Sequence, residues 1–213
     1  MEGRYRELAE AYARGMLPEM ADGASSADLL EQARAAGLKL HRFKRTMDLP
    51  RVRAVLGALR GLAPESLVDF GSGRGVFLWP LLDTFPALPV TAVERDERRL
   101  WHLEAIRRGG IERLTVARGD ASTLPFPDAS FDGATVLEVL EHQDDPLPLA
   151  REAVRLARRF VIASVPSKPD DNPEHVQLFT GETLKALLTQ AGAARVGIDY
   201  VLGHIIAVAR VER

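Results

Sequence analysis

The chain has 213 residues, of which 46% are hydrophobic and 27% charged, with a formal net charge of -2. These fractions are ordinary for a globular domain and exclude disordered, collagen-like and low-complexity classes. No run approaches the roughly eighteen apolar residues of a membrane-spanning helix. The start, Met1-Glu2-Gly3-Arg4-Tyr5-Arg6, lacks the apolar core of a secretory signal, and there is no cysteine. Disulfides, thiolate metal sites and a cysteine nucleophile are therefore excluded, and the cytoplasm is the expected location. The length suits one domain with a small appendage. The slightly acidic balance supplies no basic footprint for nucleic acid.

The first sixty residues read as helical. Tyr5–Arg14 is rich in Ala, Glu, Leu and Arg, all good helix formers, and Gly15 and Pro18 are expected to stop it. Ser25-Ser26-Ala27-Asp28 offers cap residues before Leu29–Arg34, and Gly37 stands where a C-terminal cap belongs. A third helix is expected from Asp48, with Pro50 in its first turn. It carries Val52, Val55, Leu56 and Leu59 on one face and ends near Gly61. The run His41-Arg42-Phe43-Lys44-Arg45 is a local basic cluster, read as a solvated surface of this helical cap.

From Ser66 the pattern changes to strands separated by helices. Leu67–Phe70, Val90–Val93, Leu114–Ala117, Phe131–Leu137 and Phe160–Val165 are short apolar runs. Asp96–Arg108 and Pro148–Ala157 read as helices between them. Such alternation indicates a parallel sheet covered on both faces. Asp69, Glu94 and Asp120 recur at the interval of one crossover, at the carboxyl ends of consecutive strands, where open α/β sheets bind ligands. A helix over Thr180–Ala191 and two strands, Arg195–Val201 and His204–Val211, close the chain. The aromatic residues Phe77, Trp79, Phe85 and Trp101 are expected to pack helices onto the sheet. Phe126 and Phe179 stand on ligand-edge loops as candidates for substrate contact.

Asp69-Phe70-Gly71-Ser72-Gly73-Arg74-Gly75 follows the first strand and opens a helix. Glycines at this spacing let the backbone turn tightly and approach a ligand. With Ala92-Val93-Glu94-Arg95-Asp96, Gly119-Asp120-Ala121, Leu124–Asp132 and Glu138-Val139-Leu140-Glu141-His142, the chain over about 50–211 resembles the class I S-adenosylmethionine-dependent methyltransferases. The resemblance implies a doubly wound, Rossmann-like, seven-stranded and mostly parallel α/β sheet of order 3-2-1-4-5-7-6. Residues 1–60 would form a helical cap that sets substrate specificity, and residues 61–213 the cofactor-binding domain. It implies that Asp69, Gly71, Ser72 and Gly73 hold the methionine end of S-adenosyl-L-methionine. Glu94 would take the ribose hydroxyls, Asp120 and Ala121 the adenine edge, and Arg95 the adenine face, with Leu137 closing the methionine side. The implied function is methyl transfer to a small-molecule acceptor. A dinucleotide oxidoreductase using NAD is the rival. Its G-x-G-x-x-G spacing fails here, because the third glycine comes one place early at Gly75 and Val76 fills the sixth place. A non-catalytic binder of the same cofactor is a further alternative.

In methyl transfer the cofactor brings the reactive group and the protein aligns it with the acceptor. A base is needed only where the acceptor must lose a proton. His142, His175 and Glu141 are the candidate catalytic residues. His142 and Glu141 follow the fourth strand, and His175 sits in the Pro/Asp/Asn-rich segment after the fifth. The spacing Glu138-x-x-Glu141-His142 with distant His175 also resembles the metal site of small-RNA terminal 2′-O-methyltransferases. Metal-assisted RNA methylation is therefore a second alternative, and no metal is the expectation.

Overall fold

The computed structural model describes residues 5–45, 49–119, 123–169 and 171–213. Asp48, Asp120 and Ala121 lie outside them, so the expected start of the third helix and both adenine-edge residues are not described.

The helical N-terminus contains α1 (Arg6–Met16), α2 (Pro18–Ala21), α3 (Ser26–Ala35) and α4 (Pro50–Leu62), with a 3-10 turn at Leu40–Phe43. Ser25 caps α3 by accepting the Asp28 backbone N–H, as its position predicts. Pro50 opens α4, where a missing N–H costs nothing. Gly15 does not stop α1, which runs on to Met16. A Cβ on Gly15 would come within 1.8 Å of the Ala105 carbonyl oxygen, and one on Gly109 within 1.7 Å of that of Ala11. These glycines let α1 lie directly against α6 (Glu97–Arg108), so Gly15 serves helix contact and not helix termination.

The remaining elements are β1 (Leu67–Phe70), α5 (Leu78–Thr84), β2 (Val90–Glu94), β3 (Leu114–Arg118), β4 (Phe131–Leu137), α7 (Leu147–Leu156), β5 (Ala157–Pro166), α8 (Gly181–Gln190), β6 (Arg195–Val201) and β7 (His204–Arg210). They form a seven-stranded sheet of order β3-β2-β1-β4-β5-β7-β6. Strands β1 to β5 are parallel, and β7 runs antiparallel to β5 and β6. α7 ends one residue earlier than its apolar pattern suggests, because Ala157 pairs with Phe131 and begins β5. Thr180 caps α8 reciprocally with Thr183.

Side chains of a strand alternate between faces, and here they feed two cores. Leu67, Val90, Ala92, Phe160 and Ile162 pack with α1, α3, α4, α5 and α6. Val68, Phe70, Ala134, Val136, Val161 and Ala163 pack with α7 and α8. The first core joins Tyr12, Phe43 and Leu56 of the helical N-terminus to the sheet residues. Asp69, Thr135 and Ser164 fall on the α4/α5 face near the carboxyl ends of their strands, where the alternation calls for apolar residues. All three are buried, and such polar substitutions in a core mark a site.

Trp79 and Phe77 are buried as expected, but Trp101 is 53% exposed on α6. Leu103 and Ile106 mark the buried face of that helix, and Trp101 falls well away from both. Phe179 is buried in the second core, and Phe126 stacks edge-on against Phe131 at 5.3 Å. Both anchor loops. Asp132 has a structural role too: it accepts from Arg158, Arg159 and the Glu65 N–H, locking the start of β4 to β5.

Candidate cofactor and acceptor site

The loop after β1 is shaped by its glycines. Gly71, Gly73 and Gly75 all have positive φ, a region costly for residues with a Cβ. At Gly75 a Cβ would also enter the Trp79 indole, at 1.9 Å. At Gly71 it would meet the Val139 side chain, at 2.7 Å. Strand β1 delivers Asp69 beneath this loop. Its Oδ1 accepts from Thr135 Oγ1 at 2.7 Å and its Oδ2 from Ser72 Oγ at 2.8 Å. Burial pushes the Asp69 carboxyl up to about 6, against the opposing effect of these two hydrogen bonds. At neutral pH the group is still mostly a carboxylate, and it becomes protonated as pH falls through about 6.

Strand β2 ends in Glu94, 3% exposed. Its Oε1 accepts the N–H groups of Arg95 at 3.0 Å and Asp96 at 3.1 Å. Its Oε2 accepts the Gly73 N–H at 2.9 Å, with Arg99 Nη1 at 3.6 Å. The carboxylate therefore ties the glycine loop to the start of α6. Each oxygen offers two lone pairs. Oε1 is filled by two N–H groups, whereas Oε2 retains one direction for a ligand hydroxyl. The Arg95 side chain is exposed at the rim of the same cavity.

Two cavities meet at Gly71, Gly73 and Glu138. The larger, about 440 Å³, is bordered by Glu94, Arg95, Gly119, Val139 and His142. The smaller, about 160 Å³, lies between α4 and the strand ends, with Val52, Val55, Val76, Phe77 and Leu137 as apolar walls and Asp69 at one end. The two cavities are continuous past Gly71, Gly73 and Glu138.

Glu138 joins the two cavities in a left-handed conformation, φ +57, rare for a residue with a side chain. It is held there from several sides. Its N–H donates to the Ser164 carbonyl and its Oε1 accepts from Ser164 Oγ at 2.7 Å. Its Oε2 lies 3.0 Å from His204 Nε2 and 3.9 Å from Arg51 Nε. Burial alone would raise the Glu138 carboxyl, but the bonds from His204 and Ser164 outweigh it and hold it below its ordinary range. The bond to Glu138 correspondingly raises His204, whose Nδ1 lies 3.2 Å from the Leu202 carbonyl. Arg51, Ser164 and His204 carried no motif in the sequence. They reach Glu138 from α4, β5 and β7, and only the topology brings them together.

Glu141, His142 and His175 do converge, with ligand atoms within 4.8 Å of one another. Glu141 is 1% exposed. His175 Nε2 lies 4.0 Å from Glu141 Oε1, and the two imidazoles stack edge-on at 4.8 Å. The Val176 N–H donates to the Glu141 carbonyl, which folds the segment after β5 back onto the turn after β4. His142 Nδ1 lies 2.9 Å from the Glu174 carbonyl. A carbonyl only accepts, so Nδ1 carries the hydrogen and Nε2 is left as the basic nitrogen. Glu138 stays outside this trio because His204 and Ser164 engage its carboxylate.

A methyltransferase-domain family model matches residues 68–161. The chain is 27% identical over 156 residues to the O-methyltransferase resE of Aspergillus sclerotiorum, covering 66% of this chain and 59% of that protein. It is 32% identical over 106 residues to the 27-O-demethylrifamycin SV methyltransferase of Amycolatopsis mediterranei, covering 48% and 38%. The chain thus spans between about a third and three fifths of these relatives' lengths. The fold is similar to the crystal structure of a SAM-dependent methyltransferase from Aquifex aeolicus, with TM-score 0.65 and 21% identity over 78% of this chain and 92% of that one. The sheet order agrees with this similarity of fold, and residues 68–161 are similar to a methyltransferase domain.

Proposed function

We propose that the protein transfers the methyl group of S-adenosyl-L-methionine to a small-molecule acceptor held beneath α4. The observation that carries this reading is the pair of cavities meeting at Glu138. Glu94 Oε2 and the rim residue Arg95 suit the nucleoside, and Asp69 with the glycine loop suits the methionine ammonium. The methyl group then faces the apolar walls of Val52, Val55 and Leu137, an enclosure suited to a small acceptor.

In this reading the cofactor supplies the electrophilic methyl, and the protein aligns the acceptor and excludes water. His142, on the wall of the larger cavity that meets the acceptor compartment at Glu138, takes the acceptor proton where one must leave, with His175 and Glu141 packed beside its ring. Residues 1–60 act as the specificity element through Arg51, Val52 and Val55, a cytoplasmic location fits the cysteine-free chain, and the acceptor is not a nucleic acid. Support for a small acceptor comes from the size and apolar lining of the compartment, and from the rifamycin methyltransferase among the relatives.

The test is methyl transfer from radiolabelled cofactor to a panel of phenols, carboxylic acids and amines, with wild type and His142→Gln. Turnover of a small acceptor that falls in His142→Gln, with S-adenosylhomocysteine binding retained, is the expected result. Transfer to RNA and to none of the small acceptors would contradict the reading.

A further inference from the structure

A third cavity, about 540 Å³, lies on the other side of the glycine loop, between the Leu40–Phe43 turn and the first turns of α6. Its charge is one-sided. Arg42 and Lys44 enter from the turn, Arg74 from the glycine loop, and Arg98 and Arg99 from α6. Asp96 is the single carboxylate in the lining, and its Oδ1 is engaged in capping α6 through the Arg99 N–H. Among the described residues Lys44, Arg74 and Arg98 form no ion pair, and Arg99 reaches only Glu94 at 3.6 Å. The basic run around Arg42 is therefore not a solvated patch standing alone. The fold adds three arginines to it from distant parts of the chain.

Positive groups this close repel one another, and the arrangement is stable only if something else holds it. Packing does so here. Phe43 stacks on Trp79 at 5.3 Å, and the Trp79 indole N–H donates to the Arg42 carbonyl at 3.1 Å. The Arg42 guanidinium lies 5.2 Å from the Tyr12 ring centre, while its Nε is buried with no hydrogen-bond acceptor. A buried donor without an acceptor is costly, a further sign that packing and not charge pairing holds Arg42 in place. Burial lowers the pKa of His102 in the same wall, and the charges of Arg42 and Lys39 lower it further, consistent with the excess of positive charge. The rest of the wall is apolar: Val76, Trp79 and Leu103.

We propose that this cavity binds a small molecule bearing a phosphate ester or pyrophosphate, its anion between Arg42, Lys44, Arg74 and Arg98 and its organic part against Trp79. A carboxylate would neutralise one cation, whereas a phosphate carries about -1.5 to -2 and matches forked guanidinium donors. The cavity shares Gly73, Asp96 and Arg99 with the nucleoside cavity. The phosphate thus belongs either to the methyl acceptor or to a separate effector, and the same chemistry serves both.

The experiment titrates the full chain with pyrophosphate and with phenyl phosphate at about 0.15 M ionic strength, with and without S-adenosylhomocysteine. Calorimetry and the fluorescence of Trp79 and Trp101 are the readouts. The expected result is saturable binding that weakens at least about tenfold in Lys44→Ala/Arg98→Ala, since charged hydrogen bonds are lost. S-adenosylhomocysteine affinity of that variant should stay within about threefold of wild type. Both side chains are exposed, so the variant should fold, and an unchanged thermal melt checks this. Phenyl phosphate binding strengthened by S-adenosylhomocysteine assigns the phosphate to the acceptor; binding indifferent to it assigns the phosphate to an effector. Absence of saturable binding would overturn the proposal, as would binding unchanged in the variant. So would tighter binding of a uridylate 12-mer through the same residues, which would make the cavity part of a nucleic-acid surface. Cofactor affinity measured in the same samples reports separately on the methyltransferase reading.

Discussion

Replacing Glu94 by glutamine changes one oxygen into an NH2 group at nearly constant shape. In the native protein Oε1 accepts two backbone N–H groups and Oε2 accepts one, from Gly73. The amide oxygen will keep the position with two donors, because turning it would leave both without an acceptor. The new NH2 then faces the Gly73 N–H and the place of the ribose hydroxyl. One backbone bond is lost in the free protein, and one charge-assisted bond to the ribose is lost in the complex. A charged hydrogen bond contributes about 1.5–3 kcal/mol, so S-adenosylhomocysteine should bind roughly 10- to 100-fold more weakly. Calorimetry on wild type and Glu94→Gln gives the ratio, and thermal unfolding gives the separate loss in the loop. A variant that binds within about twofold of wild type would refute the assignment of Oε2 to the cofactor.

Three further outcomes follow from the same geometry. Asp69 has a pKa of about 6 in the fold against an ordinary 3.8, so it alone stabilises the free protein at low pH and opposes folding increasingly as pH rises from about 4 to 6. A bound ammonium prefers the ionised form, so S-adenosylhomocysteine should bind about tenfold more weakly at pH 5 than at pH 7.5, a step that calorimetry should find absent in Asp69→Asn. His204 is raised by Glu138, so its contribution is complete below about pH 6.5 and fades as pH rises through its higher folded value. His204→Gln should therefore lower the melting temperature by several degrees at pH 6, with the gap narrowing toward pH 9; a gap independent of pH would contradict the charged pair. Deleting residues 1–45 removes Leu8, Tyr12, Leu29 and Leu30 from a core they share with the sheet. The remainder should lose its cooperative melt, and a fragment that melts like the full chain would show that α1 and α3 add nothing to that core.

What the sequence made legible was local and repetitive. The first four strands of the parallel sheet run into a glycine or an acid, and the alternation of apolar runs sets the crossovers. Asp69 and Glu94 were therefore readable from their position at strand ends. Glu138 was readable only as part of a metal-like spacing. Its left-handed backbone and its bond to His204 depend on β7 inserting between β5 and β6, a non-local pairing that no short window contains. Gly15 looked like a stop because a helix interior disfavours glycine; the close crossing with α6 overrides that preference. The basic run at Arg42 was visible as charge, but the arginines facing it come from the glycine loop and α6, more than thirty residues away.

The most direct measurement is calorimetric titration of the full chain with S-adenosylhomocysteine and, in parallel, with NAD. Saturable binding of one S-adenosylhomocysteine per chain, weakened in Glu94→Gln and in Asp69→Asn, is the predicted result. Saturable binding of NAD with none of S-adenosylhomocysteine would contradict the account.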